Sequence, residues 1–204
     1  MSRRTGILTT VIPLFLLAAS LALPAQTLAT DGAAAQALTS RIASAPNPAQ
    51  AFMDLNGSDK ALVMDYLQVT RVEVSETPNV PVPGAVMPLV GGCWQVTWSV
   101  VGKDALGFVV WQYNQEIYYW CGNGSTITTA GQVTRWPSSL AYFWQYTPVG
   151  NIQNWGGVGY TYQRAWSQGQ MALCVPPGGC EQYQYPWIDQ TAYPNGTVGG
   201  SEGA

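Results

Sequence analysis

"CWQVTWSVVGKDALGFVVWQYNQEIYYWC", residues 93–121, decides the fold. In its first part Trp94, Val96, Trp98 and Val100 alternate with Cys93, Gln95, Thr97 and Ser99. Neighbouring side chains on a strand point to opposite faces, so this is a half-buried strand of an antiparallel sheet, with Trp94 and Trp98 in the core. Gly102-Lys103-Asp104 reads as the hairpin loop that follows, with Asp104 as a turn residue. Residues 107–121 are apolar in both parities toward their ends. Phe108, Val110, Tyr118 and Trp120 share one parity; Val109, Trp111, Tyr113, Ile117 and Tyr119 share the other. A central strand covered on both sides fits this pattern, and so does a strand with one core face and one aromatic binding face. Asn123-Gly124 then turns the chain into its next strand.

Working outward, all nine tryptophans lie between Trp94 and Trp187. Further strand candidates are 125–136, 141–147, 158–167 and 170–175, punctuated by Gly and Pro. No fixed repeat period runs through them, which argues against a solenoid or propeller. The expected fold class is mainly β, an antiparallel sandwich or barrel over residues 91–193. Cys93, Cys121, Cys174 and Cys180 all fall in this region. Each adjacent pair brackets a hairpin or tight loop, so Cys93–Cys121 and Cys174–Cys180 are the expected bridges. In the chain-entropy model the first stabilises by roughly 3–4 kcal/mol.

Upstream, Arg3-Arg4, an apolar stretch over 6–23 and the small residues Thr27-Leu28-Ala29 read as a signal peptide, residues 1–29. General secretion is the first reading, although Arg3-Arg4 also fits the start of a twin-arginine signal. An Ala-rich leader, 30–46, reads as flexible. Over 47–76 the chain reads as a helical hairpin plus a strand. Asn47 caps the first helix ahead of Pro48, Asn56-Gly57 ends it, and Ser58 caps the second. In the strand, Val72 and Val74 alternate with Arg71 and Glu73. Pro78, Pro81, Pro83 and Pro88 make 77–90 an extended connector, and 194–204 reads as a flexible Gly-rich tail.

Charge and chemistry narrow the function classes. Charged residues are 9% of the chain, against about 25% in typical soluble proteins. Two of the eight basic residues, Arg3 and Arg4, lie in the signal, against eleven acidic residues overall. Nucleic acid is therefore not an expected partner. After the signal no segment approaches the ~20 apolar residues of a membrane span. Histidine is absent from the chain, which removes Ser-His-Asp and Cys-His sites and histidine-bound zinc. No cofactor and no metal are expected, and Gly156-Gly157-Val158-Gly159 lacks the lysine and setting of a phosphate loop. A carboxylate pair is what remains for catalysis, with Glu116 and Asp189 as its candidates.

Binding chemistry is better supplied. Trp136 before Pro137, Trp155 within Asn151–Gly157 and Trp187 after Pro186 read as loop tryptophans, and loops need not bury large rings. With Tyr118 they are the candidate ligand contacts. Exposed rings beside amide side chains suit the apolar faces and hydroxyls of sugars. A non-enzymatic module binding polysaccharide or cell-wall glycan is thus the first reading. The rivals are an interaction protein that associates with itself or another chain, and a glycan hydrolase. Asn56-Gly57-Ser58, Asn123-Gly124-Ser125 and Asn195-Gly196-Thr197 match the N-glycosylation pattern, and each is also an Asn-Gly turn.

The order of "CWQVTW", "WCGNGSTIT", "TRW", "YQRAWSQGQMALC" and "GCEQYQYPWIDQT" resembles Trp-rich secreted proteins of Gram-positive bacteria, over about residues 91–193. The resemblance implies an extracellular location and a disulfide-bonded β-fold. It brings no substrate or catalytic residue with it.

Overall fold

The computed structural model describes residues 24–77, 80–81 and 91–204. Most of the expected signal peptide, and most of the Pro-rich connector, lie outside the described residues. Three helices come first: α1 (Pro24–Ala43), α2 (Pro48–Met53) and α3 (Gly57–Leu67). The leader expected to be flexible is helical through Ala43, because its alanines favour helix and it buries Ala35 and Ile42. Asn47 caps α2, its side chain accepting from the Gln50 N–H at 3.1 Å, with Pro48 in the first helical position. The cap of α3 is Asn56 rather than Ser58. Its Oδ1 accepts from the Asp59 N–H at 2.8 Å and from the Ser58 hydroxyl at 2.7 Å.

Two antiparallel sheets follow. The first is built on β3 (Gly92–Lys103) and β4 (Val109–Gly122). β1 (Arg71–Glu76) and β2 (Val80–Pro81) pair with the free edge of β3; β5 (Ile127–Thr129) and β6 (Gln132–Ser138) pair with β4. The second is built on β8 (Gln163–Val175). β7 (Trp144–Gly156) lies along one edge; β10 (Trp187–Ala192) and β9 (Gly179–Gln184) share the other, and β11 (Val198–Gly203) closes the sheet beside β10. The tail expected to be flexible therefore supplies a strand: an edge backbone pairs without needing side chains, so glycines do not prevent it. Residues 158–167 and 170–175 do not form two strands. β8 runs through Gly169, whose missing Cβ would stand 2.8 Å from the Tyr146 ring and 3.0 Å from the Tyr113 ring.

The sheets stack with their apolar faces together. Trp98, Val100, Trp111, Tyr113 and Ile117 of the first meet Ala165, Met171, Leu173 and Ile188 of the second. Polar links cross this core: the Tyr113 and Ser167 hydroxyls are 2.6 Å apart, and Gln115 Nε2 donates to Gln190 Oε1 at 3.0 Å. Burial pushes the Tyr113 hydroxyl up to about 12. Arg135 ties one edge by donating to the backbone carbonyls of Val149, Gly150 and Gln168. Helices cover one end of the sandwich. Phe52 packs edge-on against Phe143 at 5.3 Å, and Trp144 Nε1 donates to the Leu67 carbonyl at 2.8 Å.

Both expected disulfides are present, Cys93–Cys121 between β3 and β4 and Cys174–Cys180 between β8 and β9. Just before Cys121 the two-parity pattern of β4 finds its explanation. Trp94 pairs with Trp120 and Val96 with Ile117, so Tyr118 and Tyr119 together oppose Gln95. Tyr119 sits at φ 59°, and the bulge returns Trp120 to the core face, where it is fully buried. Tyr118 and Tyr119 stay exposed.

Candidate functional site

Burying one face of each sheet leaves two outer faces, and the expected ligand residues divide between them. On the first sheet, the outer face carries Gln112, Asn114, Glu116 and Tyr118 from β4. Beside them stand Ser138, Trp136, Thr134 and Gln132 from β6. On the second sheet, Trp155, Arg164, Trp166, Asp189 and Trp187 share one outer face. Trp136, Trp155 and Trp187, expected in loops, all stand on strands. β10 alternates buried residues with half-buried ones around Trp187, whereas β7 buries neither parity from Asn151 to Gly156, so Trp155 has the polar neighbours of a loop while standing on a strand.

The second sheet's face has a regular geometry. Trp155 on β7 lies opposite Arg164 on β8. Two residues along β8 stands Trp166, and two further Gln168 lies opposite Trp187 on β10. The three tryptophans thus step diagonally over three adjacent strands. Strand spacing and rise set successive Cα atoms about 8 Å apart. Trp155 is 41% exposed, and Trp166 and Trp187 are half-buried. Trp166 was not among the expected contacts. The signal for it is the alternation of Arg164, Trp166, Gln168 and Gln170 with Ala165, Ser167, Gly169 and Met171, hidden once Gly169 is read as a break.

Polar groups surround the row. Arg164 donates to both carboxylate oxygens of Asp189, at 2.8 and 2.5 Å, and its Cζ lies 5.1 Å from the Trp155 ring centroid. Hydrogen bonding to Asp189, and then its charge, holds Arg164 more firmly protonated than usual. Gln153, Gln168 and Gln170 share the face and make no side-chain hydrogen bond among the described residues.

The first sheet's face is arranged differently. Ser99 donates to Asn114 Oδ1 at 2.7 Å; Gln112 Nε2 donates to the same oxygen at 2.8 Å and to Ser99 Oγ at 3.0 Å. Asn114 in turn donates to Ser138 Oγ at 2.9 Å. These groups are already bonded to one another, and Ser99 and Asn114 are buried. Tyr118 and Trp136 flank the network.

Glu116 and Asp189 do not form a pair. Glu116 follows Gln115 and Asp189 precedes Gln190, and those two glutamines meet in the core. The carboxylates therefore point away from each other, out of opposite faces of two sheets stacked about 10 Å apart. Glycoside hydrolysis needs its two carboxylates about 5–9.5 Å apart across one substrate. Asp189 is moreover held by Arg164, and among the described residues Glu116 accepts only a long contact, 3.4 Å, from the Thr97 hydroxyl. The structure does bring Glu76 and Glu202 together, where the edge strands β1 and β11 approach. Burial first, and the Glu76 charge second, raise the Glu202 carboxyl above its usual range. Among the described residues no cluster of His, Cys, Asp or Glu side chains is suited to hold a metal ion.

A shallow concavity lies where two Asn-Gly turns meet. Gly124, Ser125, Asn195 and Thr197 from two Asn-Gly turns line it together with Thr161 and Tyr193. Asn123 and Asn195 are engaged in those turns, each Oδ1 accepting from backbone N–H groups of its own turn. No protein-family model matches the chain, and no curated protein or solved structure shows significant similarity to it.

Proposed function

We propose that the protein is a secreted, non-enzymatic module that binds carbohydrate on the outer face of its second sheet. The observation that carries this reading is the diagonal row Trp155, Trp166 and Trp187 beside amides that are not bonded elsewhere among the described residues. A pyranose offers an apolar face to a ring and hydroxyls to neighbouring donors and acceptors, and this surface supplies both. An extended row favours a chain of sugars over a single one. Two disulfides fit an oxidising compartment, where polysaccharide and cell-wall glycan are met.

Tryptophan emission titrated with soluble glucans, xylans and chitooligosaccharides tests this, alongside pull-down on cellulose, chitin and peptidoglycan. At least one glycan is expected to saturate. Trp155→Ala or Trp166→Ala should weaken it at least ~10-fold, about 1.4 kcal/mol. Trp136→Ala, on the opposite face, should leave it unchanged. The reading fails if no glycan binds, or if Trp136→Ala and Trp155→Ala behave alike.

A further inference from the structure

A cavity of about 170 Å³ lies between α1, α3 and the β3–β4 turn, away from the tryptophan face. Roughly 10–15 Å³ already holds one water, so this space admits a small organic molecule. Its walls combine apolar groups, Leu62, Leu106 and the Tyr66 ring, with the acidic groups Asp31, Asp65 and Asp104. No basic side chain lines it, and none of the three carboxylates joins an ion pair among the described residues.

Asp104 is the informative residue. It is only 2% exposed. Its Oδ1 accepts from the backbone N–H groups of Leu106 and Phe108 at 2.9 and 2.8 Å, which fixes the turn. Its Oδ2 is buried and has no hydrogen-bond partner among the described residues. A turn residue needs one such oxygen; the second is left in an apolar setting, where an unsatisfied carboxylate oxygen is costly. Asp31 and Asp65 are exposed and form the solvent side of the cavity. Burial first, and the Asp104 charge second, raise the Tyr66 hydroxyl above its usual range.

We propose that this cavity is a binding site for a small alkylammonium ion. Its ammonium group bonds Asp104 Oδ2, and its short apolar stem lies against Leu62 and Leu106. A charge-assisted hydrogen bond satisfies the orphan oxygen, and the exposed carboxylates draw a cation to the mouth. The described carboxylates are not grouped to hold a metal ion, and the apolar walls favour a cation that carries carbon.

The test uses n-butylammonium chloride as probe, with n-butanol and sodium chloride at matched concentrations as controls. Protein NMR shifts of Leu62, Tyr66 and Leu106 are the readout. Saturable shifts are expected with butylammonium, and at least tenfold weaker ones with butanol. Asp104→Asn should weaken butylammonium at least tenfold and Asp65→Asn two- to fivefold. Because Asp104 also holds the turn, Asp65→Asn and the amine-to-alcohol ratio decide the outcome should Asp104→Asn fail to fold. Equal affinities for amine and alcohol, or no saturable shift at all, would overturn the proposal and assign Oδ2 to a water. Glycan binding on the tryptophan face is expected to be indifferent to both substitutions.

Discussion

The two outer faces of the sandwich both carry tryptophan and glutamine side chains, yet they are arranged for different work. On the first sheet Ser99, Gln112, Asn114 and Ser138 bond one another, and Ser99 and Asn114 are buried. On the second, Gln153, Gln168 and Gln170 have no such partners among the described residues, and three tryptophans cross between them in register. Composition alone does not make a binding face. A hydrogen-bonding group serves a ligand only if it is not already engaged, and a ring serves one only if other rings stand at a matching pitch.

The widest separation is between core and surface tryptophans. Trp111 is fully buried, whereas Trp155 is 41% exposed. Trp111→Ala should destabilise by about 3–5 kcal/mol, measured by urea or thermal unfolding. Trp155→Ala should change stability by no more than ~0.5 kcal/mol while weakening glycan binding. If Trp155→Ala destabilises as Trp111→Ala does, Trp155 is a core residue and the face is misassigned.

Between the faces themselves the contrast is smaller and reverses with the measurement. Asn114→Ala removes the hub of the engaged network, takes from Ser99, Gln112 and Ser138 their bonds to it, and should cost about 1–3 kcal/mol of stability. Its effect on glycan affinity should be nil. Gln168→Ala is expected to do the opposite, with stability unchanged within ~0.5 kcal/mol and glycan affinity lowered. Unfolding curves and fluorescence titrations on both variants make a two-by-two comparison. A matched loss in all four measurements would mean that the faces do not differ in kind.

How much of this was legible in the sequence depends on the range over which a signal acts. The alternation of Trp94, Val96, Trp98 and Val100 is local, and it places β3 correctly; the bridges follow from cysteines bracketing single hairpins. The bulge at Tyr118-Tyr119 is different. It is made by one extra residue opposite Gln95, and Tyr119 adopts a positive φ with no glycine to announce it. Gly169 misleads for a related reason. It is not a break but a clearance for the Tyr113 and Tyr146 rings, one of them from the other sheet. Trp166 was lost with it. The separation of Glu116 from Asp189 and the approach of Glu76 to Glu202 both depend on how the sheets stack, which no local pattern encodes.

That last pair gives the smallest expected effect and the one most specific to the strand edges. Glu202 is raised in the folded protein by burial and by Glu76, and its Oε1 is buried without a hydrogen-bond partner among the described residues. The folded state therefore holds this proton more tightly than the unfolded chain does. Between the ordinary glutamate range, near pH 4.3, and the raised folded value, the folded state binds more protons, so stability falls as pH rises through that window. Below it the penalty is absent; above it the penalty is complete. Glu202→Gln should flatten this part of the stability profile and raise the melting temperature at neutral pH. Glu73 runs the other way. The hydrogen bond from Lys103, at 2.5 Å, lowers its carboxyl, so its contribution is present above the ordinary glutamate range and is lost as pH falls through the lowered value. Glu73→Gln should therefore remove an acid-side loss and leave the fall above pH 4.3 intact. Thermal unfolding of the two variants between about pH 3 and 8 separates the two edges of the first sheet's β1. If Glu202→Gln leaves the profile unchanged in that window, β11 does not press Glu202 against Glu76, and the closed edge between the sheets is open in solution.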